Sequence, residues 1–593
     1  MSIWIRSRQL PHADTSGTEG DPPPDGTATA ATAEAPAGPG AAGPGAVAGG
    51  PRGRHPELWR IAGRVNTALA AVLVLGVLLL PNDPARLSPG AFAGIPVEAL
   101  CGAALILVLR AGARRAVALL AGAVLGALTV LKLLDIGFRS VLARPFDPTL
   151  DWVLLGDAED FLGDSIGRTG ALWVVAGAVA GVVVLLVLVA WSVLRLSRLV
   201  VRHGAVATRA TLVLGTVWVV CAALGVQLSG SPVASRNTAG FVQSRAQQVR
   251  AGWEDRKAFA RESAVDAFRD TPPERLLTGL RGKDVVFVFI ESYGRNAIED
   301  PEMASEVGAV LDDGTRRLGA AGFSSRSAFL TSPTSGGGSW LAHSTFASGL
   351  WIHNQQRYGD LTGGDRLTLT SAFRRTDAWR TVGIMPGVTM AWPEGRFYGL
   401  DNVYDSRNLG YQGPRFSWSR VPDQFSLSAF ERLEHGKKGR DPLMAEIILT
   451  SSHHPWAPVP RTVGWDEVGD GSVYDAVKEA GKDPKEVWRD PAQVRAEYRR
   501  AIEYSLTSLI SYVEKYGDDD TVLVFLGDHQ PVPTVTRERY GRDVPIAIVA
   551  RDPAVLARTS GWGWQDGLKP GPQAPVWRMD SFRDRFLTAY GPR

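Results

Sequence analysis

Charged and imidazole side chains follow three apolar segments at the point where each segment ends. Glu291 comes directly after DVVFVFI, and the pair Asp528 and His529 follows TVLVFLG. A second imidazole pair, His453 and His454, follows EIILT after two serines. Any one of these residues also fits a solvated loop start, so the prediction rests on the set. Carboxylate and imidazole ligands together predict one divalent metal ion, Mn²⁺ or Mg²⁺ in preference to Zn²⁺.

A glycine-rich turn supplies a hydroxyl group between the first two of these segments. It reads SGGGS over 335–339 and leads into an amphipathic stretch that ends at Gly349. Ser339 would lie at the amino end of a helix, where unpaired N–H groups and the helix dipole favour an anion. Coordination to a metal would lower the pKa of this hydroxyl and make it a nucleophile. A plain helix N-cap explains Ser339 equally well, so both interpretations stay open.

Alternating strand and helix patterns surround these residues. Helical stretches separate β-branched runs at Val285–Ile290, Glu446–Thr450, Thr521–Leu526 and Pro545–Ala550. The plainest helix has apolar side chains at spacings of three and four, namely Val494, Tyr498, Ile502, Leu506, Leu509 and Val513. This pattern predicts a mostly parallel sheet sandwiched by helices, and such sheets collect their chemistry at the carboxyl ends of the strands.

Five apolar runs precede this domain, each near the ~20 residues that cross a bilayer core. They are Ile61–Leu80, Ala91–Leu109, Ala116–Leu134, Ala171–Leu194 and Ala210–Leu228. Buried helices of a soluble protein are the alternative, but five such runs in close succession favour membrane helices. We therefore predict a five-helix transmembrane anchor over residues 57–230, in contact with membrane lipids.

The charges of the loops predict the orientation of this anchor. Arginines flank the first run and follow the second and fourth, all on one side if every run spans (Arg52, Arg54, Arg60, Arg64; Arg110, Arg114, Arg115; Arg195, Arg198, Arg202, Arg209). The loop over 135–169 instead holds seven acidic residues against three arginines. The positive-inside rule then places the amino terminus in the cytoplasm and residue 229 onward outside. Segment 138–161 is either an interfacial amphipathic helix or a plain loop.

The remaining segments complete the predicted organisation of a multi-pass cell-membrane protein. Residues 1–56 are rich in Pro, Gly, Ala and Thr and predict a disordered cytoplasmic tail. Residues 231–283 predict a helical connector, and 284–593 an extracytoplasmic catalytic domain. Both cysteines, Cys101 and Cys221, lie in apolar runs, so we expect no disulfide in that domain. A net charge of +3 gives no reason to expect nucleic acid as a partner.

The ordered set of motifs resembles the alkaline phosphatase superfamily. It comprises the acid after the first strand, a glycine-rich turn with a hydroxyl residue, His453-His454-Pro455, and Gly527-Asp528-His529. In layout the chain is similar to the sulfatase-type membrane transferases, which are the lipoteichoic acid synthases, phosphoglycerol transferases and phosphoethanolamine transferases. That resemblance implies five membrane helices followed by an extracytoplasmic, sulfatase-like α/β domain.

The resemblance also implies roles for individual residues. Glu291, Asp528 and His529 align with ligands of one divalent metal ion, and Ser339 aligns with the nucleophile that also contacts the metal. His453 aligns with a histidine near the transferred phosphate. Trp392 aligns with a tryptophan that lines the substrate pocket.

Two departures from the family pattern limit what is carried over. Lipoteichoic acid synthases and phosphoethanolamine transferases have threonine where this chain has Ser339, and serine keeps the hydroxyl. The glycerol-phosphate enzymes have a histidine before the tryptophan and an arginine two residues after it. This chain has Met385-Pro386-Gly387 and Trp392-Pro393-Glu394 instead. Its nearest arginine, Arg396, is a candidate substrate-binding residue, and glycerol phosphate is not carried over as the substrate.

Three classes of function are consistent with these features. The leading hypothesis is transfer of a phospho-group from a phospholipid headgroup donor to an envelope glycan or lipid acceptor through a seryl intermediate. A phosphodiesterase or sulfatase is the second, although Ser339 is followed by WLAH rather than the x-Pro-x-Arg of sulfatases. A non-catalytic envelope binding protein is the third. For His343 and His353 we expect roles in the core or at the surface.

Overall fold

The computed structural model describes residues 56–142, 144–148, 151–389, 392–416, 421–537 and 539–592. The predicted tail lies outside these residues, apart from Pro56. A group of long helices comes first and an α/β domain follows. The helices of this first part are α1 (Pro56–Leu79), α2 (Val97–Val108), α3 (Ala111–Leu142), α4 (Trp152–Arg202), α5 (Gly204–Leu224) and α6 (Asn237–Ala264).

Four helices in the described part of the chain are long and apolar enough to cross a membrane: Trp59–Leu79, Ala111–Ser140, Gly167–Arg202 and Gly204–Leu224. The second predicted run, Ala91–Leu109, contains only the 12-residue helix α2. At 1.5 Å per residue α2 is about 18 Å long, well short of the ~30 Å hydrocarbon core. One proline inside that run, Pro96, directly precedes the first residue of α2. The prediction of five spanning helices is therefore not confirmed.

Small residues let α3 and α4 approach closely. A Cβ atom on Gly122 would lie 2.6 Å from Ala190 Cα, and one on Gly126 would lie 2.8 Å from Leu186 Cδ2. Glycines four residues apart on one helix face form the usual close-packing surface of membrane helices. Segment 138–161 is the end of α3, a turn that includes 144–148, and the start of α4. Gly167, with a non-helical φ of 79° and ψ of 154°, separates the helical part that begins at Trp152 from the apolar span Gly167–Arg202, so the segment contains a helix distinct from that span, and its interfacial position stays a prediction.

The connector begins at the carboxyl end of α1. Asn237 Nδ2 donates to Leu79 O at 2.8 Å, and Thr238 Oγ1 donates to Leu78 O at 3.0 Å. Of the predicted helical connector, α6 covers 237–264, and the rest contains two short 3₁₀ turns (Pro273–Arg275 and Thr278–Leu280).

A mostly parallel sheet forms the centre of the second domain. Its strands are β1 (Asp284–Ile290), β2 (Ser324–Thr331), β3 (Arg380–Met385), β4 (Asn402–Asp405), β5 (Leu443–Leu449), β6 (Thr521–Gly527), β7 (Asp543–Ala550), β8 (Gln565–Asp566) and β9 (Val576–Arg578). In space the order is β8-β2-β7-β6-β1-β5-β3-β4, with β9 also pairing β2. The five strands from β6 to β4 run parallel, whereas β7 is antiparallel to both neighbours. All four predicted strands are confirmed.

Helices cover both faces of this sheet. Val286, Val288 and Ile290 of β1 contact one apolar cluster, which includes α7 (Ala304–Ala320), α10 (Asp423–Phe430) and α11 (Pro491–Tyr516). The alternate residues of β1 face α8 (Ser339–Ser348) and α12 (Phe582–Ala589). The predicted apolar stripe of the helix over 494–513 is buried in the first cluster. The predicted sandwich of helices around a mostly parallel sheet is confirmed.

One apolar cluster joins the two parts of the molecule. Trp340 and Leu341, in the first turn of α8, pack with Phe138 and Phe146 of the helical anchor and with Phe259 of α6. The other members of the cluster come from the chain after α8 and from α9 (Gln355–Thr362). The helix that begins at Ser339 thus contacts the anchor directly.

Candidate metal and nucleophile site

The carboxyl ends of three neighbouring strands form the site. In the register of the sheet, Gly527 of β6 lies opposite Ile290 of β1, and Ile290 lies opposite Leu449 of β5. The residues that follow these three positions therefore leave the sheet at one edge. They include Glu291 and Asp528, as the sequence predicts.

Asp528 has one oxygen held by the backbone and one without a partner. Its Oδ1 accepts hydrogen bonds from Ser292 N at 2.8 Å and from His529 N at 2.7 Å. Its Oδ2 is buried and accepts no hydrogen bond from any described residue. A buried carboxylate oxygen without a donor is costly unless a cation occupies the position beside it.

Ser339 lies between Glu291 and His529. Its Oγ donates to Glu291 Oε2 at 2.9 Å and is 3.2 Å from His529 Nε2. Glu291 Oε1 accepts from Ser292 Oγ at 2.9 Å and is 3.3 Å from His529 Nε2. The hydroxyl therefore shares the metal-type ligand set, and a simple N-cap is not its arrangement, since Gly338 occupies the cap position of α8.

The orientation of the His529 ring suits a metal ligand. Its Nδ1–H donates to Gln530 O at 2.8 Å, which leaves Nε2 directed at Ser339 and Glu291. A backbone carbonyl that holds one ring nitrogen in this way is a common partner of metal-ligating histidines. Glu291, Asp528 and His529 each offer one possible ligand atom, and these three atoms lie within 4.8 Å of one another. With the unpaired Asp528 Oδ2, the donor set fits a divalent cation.

Three glycines bring Ser339 into this position. Gly336, Gly337 and Gly338 have φ values of 76°, 153° and 82°, which side chains rarely tolerate. Gly336 N donates to Gln530 O at 2.8 Å, so the turn is fixed to the chain that follows His529. Ser339 is only 5% exposed. The glycines thus position the hydroxyl rather than merely connecting two elements.

The turn after β1 packs against the chain that leads to Asp528. Ser292 has a φ of 57°, a strained value for a non-glycine residue, and Tyr498 Oη donates to its carbonyl oxygen at 2.9 Å. A Cβ on Gly527 would lie 1.8 Å from Tyr293 O, so β6 has room only for glycine there. This close approach aligns Asp528 with the amide of Ser292.

Glu291, Asp528 and His529 influence one another's protonation. Burial opposes the charged form of Glu291, but the adjacent His529 holds the pKa of that carboxyl well below its usual range. Burial and the charge of Glu291 raise the pKa of Asp528 to about 7. Burial disfavours the imidazolium of His529, yet Asp528 and Glu291 raise its pKa to about 9. The proton on His529 thus supplies the positive charge between two acids, and a divalent cation would replace it.

His343 is a residue of the site that the sequence interpretation missed. It lies one helical turn after Ser339 on α8 and is 2% exposed. Its Nε2 is 3.8 Å from Asp528 Oδ2, and its ring packs against that of Phe289 with centroids 4.2 Å apart and planes tilted by 44°. Burial lowers the pKa of His343 to about 3, so its imidazole is neutral. The spacing from Ser339 to His343 was the available signal, because residues four apart share one helix face. His353 is exposed.

The predicted imidazole pair after β5 lies at the same edge of the sheet. His453 is 4% exposed, and its Nδ1–H donates to His454 O at 2.6 Å. Burial lowers the pKa of His453 to about 3, and it is near enough to Glu291 for their charges to interact. His454 stacks on His453, with ring centroids 4.4 Å apart.

Trp392 and Arg396 lie in the segment after β3. Trp392 packs against Met385 and its ring is 5.3 Å from that of Tyr398. Tyr398 Oη in turn lies 2.7 Å from Ser344 Oγ of α8, so Trp392 reaches the helix of Ser339 through one intervening residue. Arg396 is exposed and forms no ion pair within the described ranges. A substrate-binding role for either residue stays a prediction.

Comparison with known proteins finds similarity at the level of solved structures. No protein-family profile and no curated protein sequence matches the chain. Lipoteichoic acid synthase LtaP from Listeria monocytogenes is similar at 16% identity and a TM-score of 0.36, over 56% of this chain and 76% of that one. The C-terminal periplasmic domain of EcEptC from Escherichia coli is similar at 12% identity and a TM-score of 0.36, over 52% and 82%.

A third similar structure is the Streptococcus pyogenes phosphoglycerol transferase GacH in complex with sn-glycerol-1-phosphate. It shares 11% identity at a TM-score of 0.32, over 56% of this chain and 91% of that one. A protein of the alkaline phosphatase superfamily from Vibrio parahaemolyticus is also similar, at 17% identity and a TM-score of 0.33. These proteins are of the kinds that the sequence motifs resemble.

Proposed function

We propose that this protein is a membrane-anchored, metal-dependent enzyme that transfers a phospho-group outside the cytoplasm through a covalent intermediate on Ser339. The observation that carries the proposal is the position of the Ser339 hydroxyl, 2.9 Å from Glu291 Oε2 and 3.2 Å from His529 Nε2. A nucleophile within hydrogen-bonding reach of two metal-type ligands is the arrangement that phospho-transfer needs. Glu291, Asp528, His529 and Ser339 would hold one divalent cation.

Ser339, Glu291 and His453 have different roles in the proposed reaction. A bound divalent cation would supply Lewis-acid stabilisation of the phosphate and a lowered pKa for the Ser339 hydroxyl. Ser339 Oγ attacks the phosphorus of a phosphodiester, and its proton already has an acceptor in Glu291. A bond from phosphorus to the leaving alcohol breaks as the seryl bond forms. The leaving alkoxide takes a proton from solvent, and His453, which its lowered pKa keeps neutral, accepts the proton of the acceptor hydroxyl or water that resolves the intermediate.

The course of α1 supports an extracytoplasmic position for the site. The helix runs from Pro56 to Leu79, and the connector begins against its carboxyl end at Leu78 and Leu79. If α1 crosses the membrane, the amino-terminal tail and the connector are on opposite sides, whether or not α2 also crosses. The arginine-rich flank of α1 then assigns the tail to the cytoplasm.

Contact between α8 and the anchor supports a lipid donor. Trp340 directly follows Ser339 and packs in one cluster with Phe138 and Phe146. The nucleophile is therefore held close to the end of the membrane helices, where lipid headgroups are concentrated. A phospholipid headgroup is our proposed donor, and an envelope glycan or lipid is the proposed acceptor. Nucleic acid is not a partner in this proposal.

Turnover of a labelled phospholipid by the full-length protein in nanodiscs tests the proposal. We expect Ser339→Ala to lose at least about 10³-fold in turnover, and Ser339→Thr to keep measurable activity because the hydroxyl remains. Ser335→Ala, in the same turn but outside the ligand set, is the matched control. Undiminished turnover by Ser339→Ala would overturn the assignment of the nucleophile.

Hydrolysis by the same residues is the second candidate, since only the second step differs. Product analysis in the same assay separates the two. Free headgroup phosphate identifies a phosphodiesterase, whereas the headgroup on a glycan or lipid acceptor identifies a transferase. The sequence WLAH after Ser339 argues against a sulfatase.

A further inference from the structure

Helix α6 has an apolar stripe on an exposed face. Val242, Ala246, Val249 and Trp253 follow one another at spacings of four, three and four residues, so they lie within an arc of about 60° around the helix. Val242, Val249 and Trp253 are 45%, 41% and 73% exposed. A contiguous apolar surface of this kind marks a contact with another protein or with a membrane.

The stripe is separate from the face by which α6 packs on the rest of the protein. Phe241 and Phe259 are 4% and 2% exposed and lie roughly 110° around the helix from the stripe. Phe259 belongs to the apolar cluster that includes Phe138 and Phe146. Packing within the chain therefore accounts for one apolar face of α6 and leaves the second one exposed.

Basic side chains border the stripe on the side away from Phe241. Arg250 and Lys257 lie there, within about 70° of the centre of the stripe. Arg250 Nε is 3.0 Å from Glu254 Oε1 in an exposed pair, and Lys257 forms no ion pair with any described residue. Long basic side chains beside an apolar stripe are typical of helices in the headgroup layer, because the cations extend to lipid phosphates while the stripe enters the acyl boundary.

The stripe begins beside the end of a helix that is long enough to cross a membrane. Thr238 Oγ1 donates to Leu78 O, at the carboxyl end of α1, at 3.0 Å. Val242 is one helical turn further along α6. Lipid headgroups surround the end of a membrane-spanning helix, so the first residue of the stripe is at their level.

The course of α6 follows from its contacts with α3, which is also long enough to cross a membrane. Arg245 pairs with Asp135 of α3, and Phe259 packs in the cluster that contains Phe138 of the same helix. From Arg245 to Phe259 α6 extends about 21 Å, whereas Asp135 and Phe138 are about one turn apart on α3. Helix α6 therefore crosses the end of α3 instead of continuing along its axis, as a helix on the membrane surface does.

We propose that α6 lies in the headgroup layer of the bilayer that surrounds the anchor, with its exposed stripe inserted into the lipid. The same helix is bound to the catalytic domain, since Asp255 Oδ2 accepts from Arg357 Nε at 2.9 Å and Phe259 shares a cluster with Trp340, next to Ser339. The depth of α6 in the membrane thus sets the height of Ser339 above the lipid. The inference adds a lipid-binding surface and does not depend on the chemistry at Ser339.

Fluorescence quenching in nanodiscs tests the proposal. The full-length protein is reconstituted in phosphatidylcholine that carries bromine on the acyl chains near the headgroup, and in the same lipid without bromine. Because the chain has 18 tryptophans, the emission of Trp253 is measured as the difference between the unmodified protein and Trp253→Phe. Trp465→Phe is the matched control, since Trp465 packs against Tyr516 near the start of β6, at the edge of the sheet opposite Ser339.

We expect brominated lipid to remove at least about half of the Trp253 emission and almost none of the Trp465 emission. Acrylamide dissolved in the water should quench Trp465 more than Trp253, although Trp253 is the more exposed of the two in the protein alone.

A charge within the stripe provides a second test. Val249→Asp should reduce the lipid quenching of Trp253 by at least about half, because a carboxylate opposes insertion. Gln247→Asp, on the polar side of α6, is the matched control and should leave the quenching unchanged. Each variant is compared with its own Trp253→Phe partner.

Three outcomes would overturn the inference. Trp253 emission that acrylamide quenches and brominated lipid does not would place the stripe in water. Protection from both quenchers would show that protein covers the stripe, as in a dimer of this chain. Equal lipid quenching in Val249→Asp and the unmodified protein would show that the stripe does not insert. None of these measurements uses metal binding or turnover, so failure of the proposed function would leave the inference standing.

Discussion

Two buried polar clusters in this molecule differ in how completely protein atoms satisfy them. At the junction of anchor and connector, Asp135 accepts from Asn82 Nδ2, from the amide of Phe146 and from the Arg245 guanidinium. Nearby, Lys132 donates to two oxygens. At the edge of the sheet, by contrast, Asp528 Oδ2 and both His343 nitrogens have no partner within the described part of the chain.

The difference distinguishes a structural cluster from a site for a ligand. At the junction both oxygens of the Asp135 carboxylate are paired, and of the Arg245 guanidinium nitrogens only Nε lacks a partner among the described residues, so the buried charges compensate each other without a ligand. A partly paired network is destabilising on its own and persists where a bound group completes it. Asp135 and Arg245 therefore connect α3 to α6, whereas the unpaired Asp528 Oδ2 supports the proposal that a cation binds beside it.

Loss of Asp528 gives the largest effect that we predict. Asp528→Ala removes a carboxylate from the ligand set, so we expect metal binding to fall below detection and turnover to fall by at least about 10³-fold. Isothermal titration and a lipid turnover assay measure the two quantities. Full metal content in this variant would mean that the cluster is not the metal site.

Disruption of the junction cluster gives the matched contrast. Arg245→Ala leaves the buried charge of Asp135 unpaired, so we expect a loss of about 3–5 kcal/mol in stability with metal affinity unchanged. Thermal unfolding in detergent and metal titration of the same preparation check the two parts. Loss of metal binding without loss of stability would reverse the roles assigned to the two clusters.

The pH dependence of metal binding sharpens the comparison further. A cation must displace the proton from His529, whose pKa is raised to about 9, and from Asp528, whose pKa is raised to about 7. Apparent affinity should therefore rise with pH between 6 and 9, by up to about tenfold per unit for each proton displaced. Titrations at several pH values measure this slope, and an affinity independent of pH over that range would contradict it.

Substitution of Glu446 has the smallest effect that we predict. It tests whether a buried acidic group can lack a partner without belonging to a ligand site. It lies in the middle of β5, 6% exposed, and burial raises its pKa from 4.5 to about 7. A raised carboxyl pKa stabilises the fold at low pH, and this contribution is lost as the pH rises from about 4.5 to 7. Glu446→Gln should thus be more stable than the unmodified protein by about 3 kcal/mol at pH 8 and similar in stability at pH 4.

Thermal unfolding at both pH values measures this difference. Metal affinity serves as the control, because Glu446 is three residues before the strand end and outside the ligand set. A variant less stable at pH 8 would show that the Glu446 carboxylate has a partner in the folded protein.

Sequence patterns predicted the sheet and its edge well, for a physical reason. Strand β1 is found at Asp284–Ile290 where Val285–Ile290 was predicted, because strands buried on both faces are continuous apolar runs. Once the parallel order is given, residues after those runs must meet at one edge. Glu291, Asp528, His529 and Ser339 therefore follow from sequence and topology together.

Other features depend on packing that no local pattern contains. His343 lies 3.8 Å from Asp528 only because α8 directs that helix face at the edge of the sheet. The hydropathy of Ala91–Leu109 predicted a membrane span because hydropathy depends on composition and not on the length of unbroken helix. Within the run the helix begins only after Pro96 and spans Val97–Val108.

Detection of a covalent intermediate is the most direct test of Ser339 as the nucleophile. The full-length protein in nanodiscs is mixed with a phospholipid that carries a labelled headgroup phosphate, quenched in acid within the first turnover and digested for mass spectrometry. We expect a phosphate-containing adduct on the peptide that contains Ser339. The adduct should be absent from Ser339→Ala and from chelator-treated protein. Turnover that continues with no adduct on Ser339, or an adduct on another residue, would contradict it.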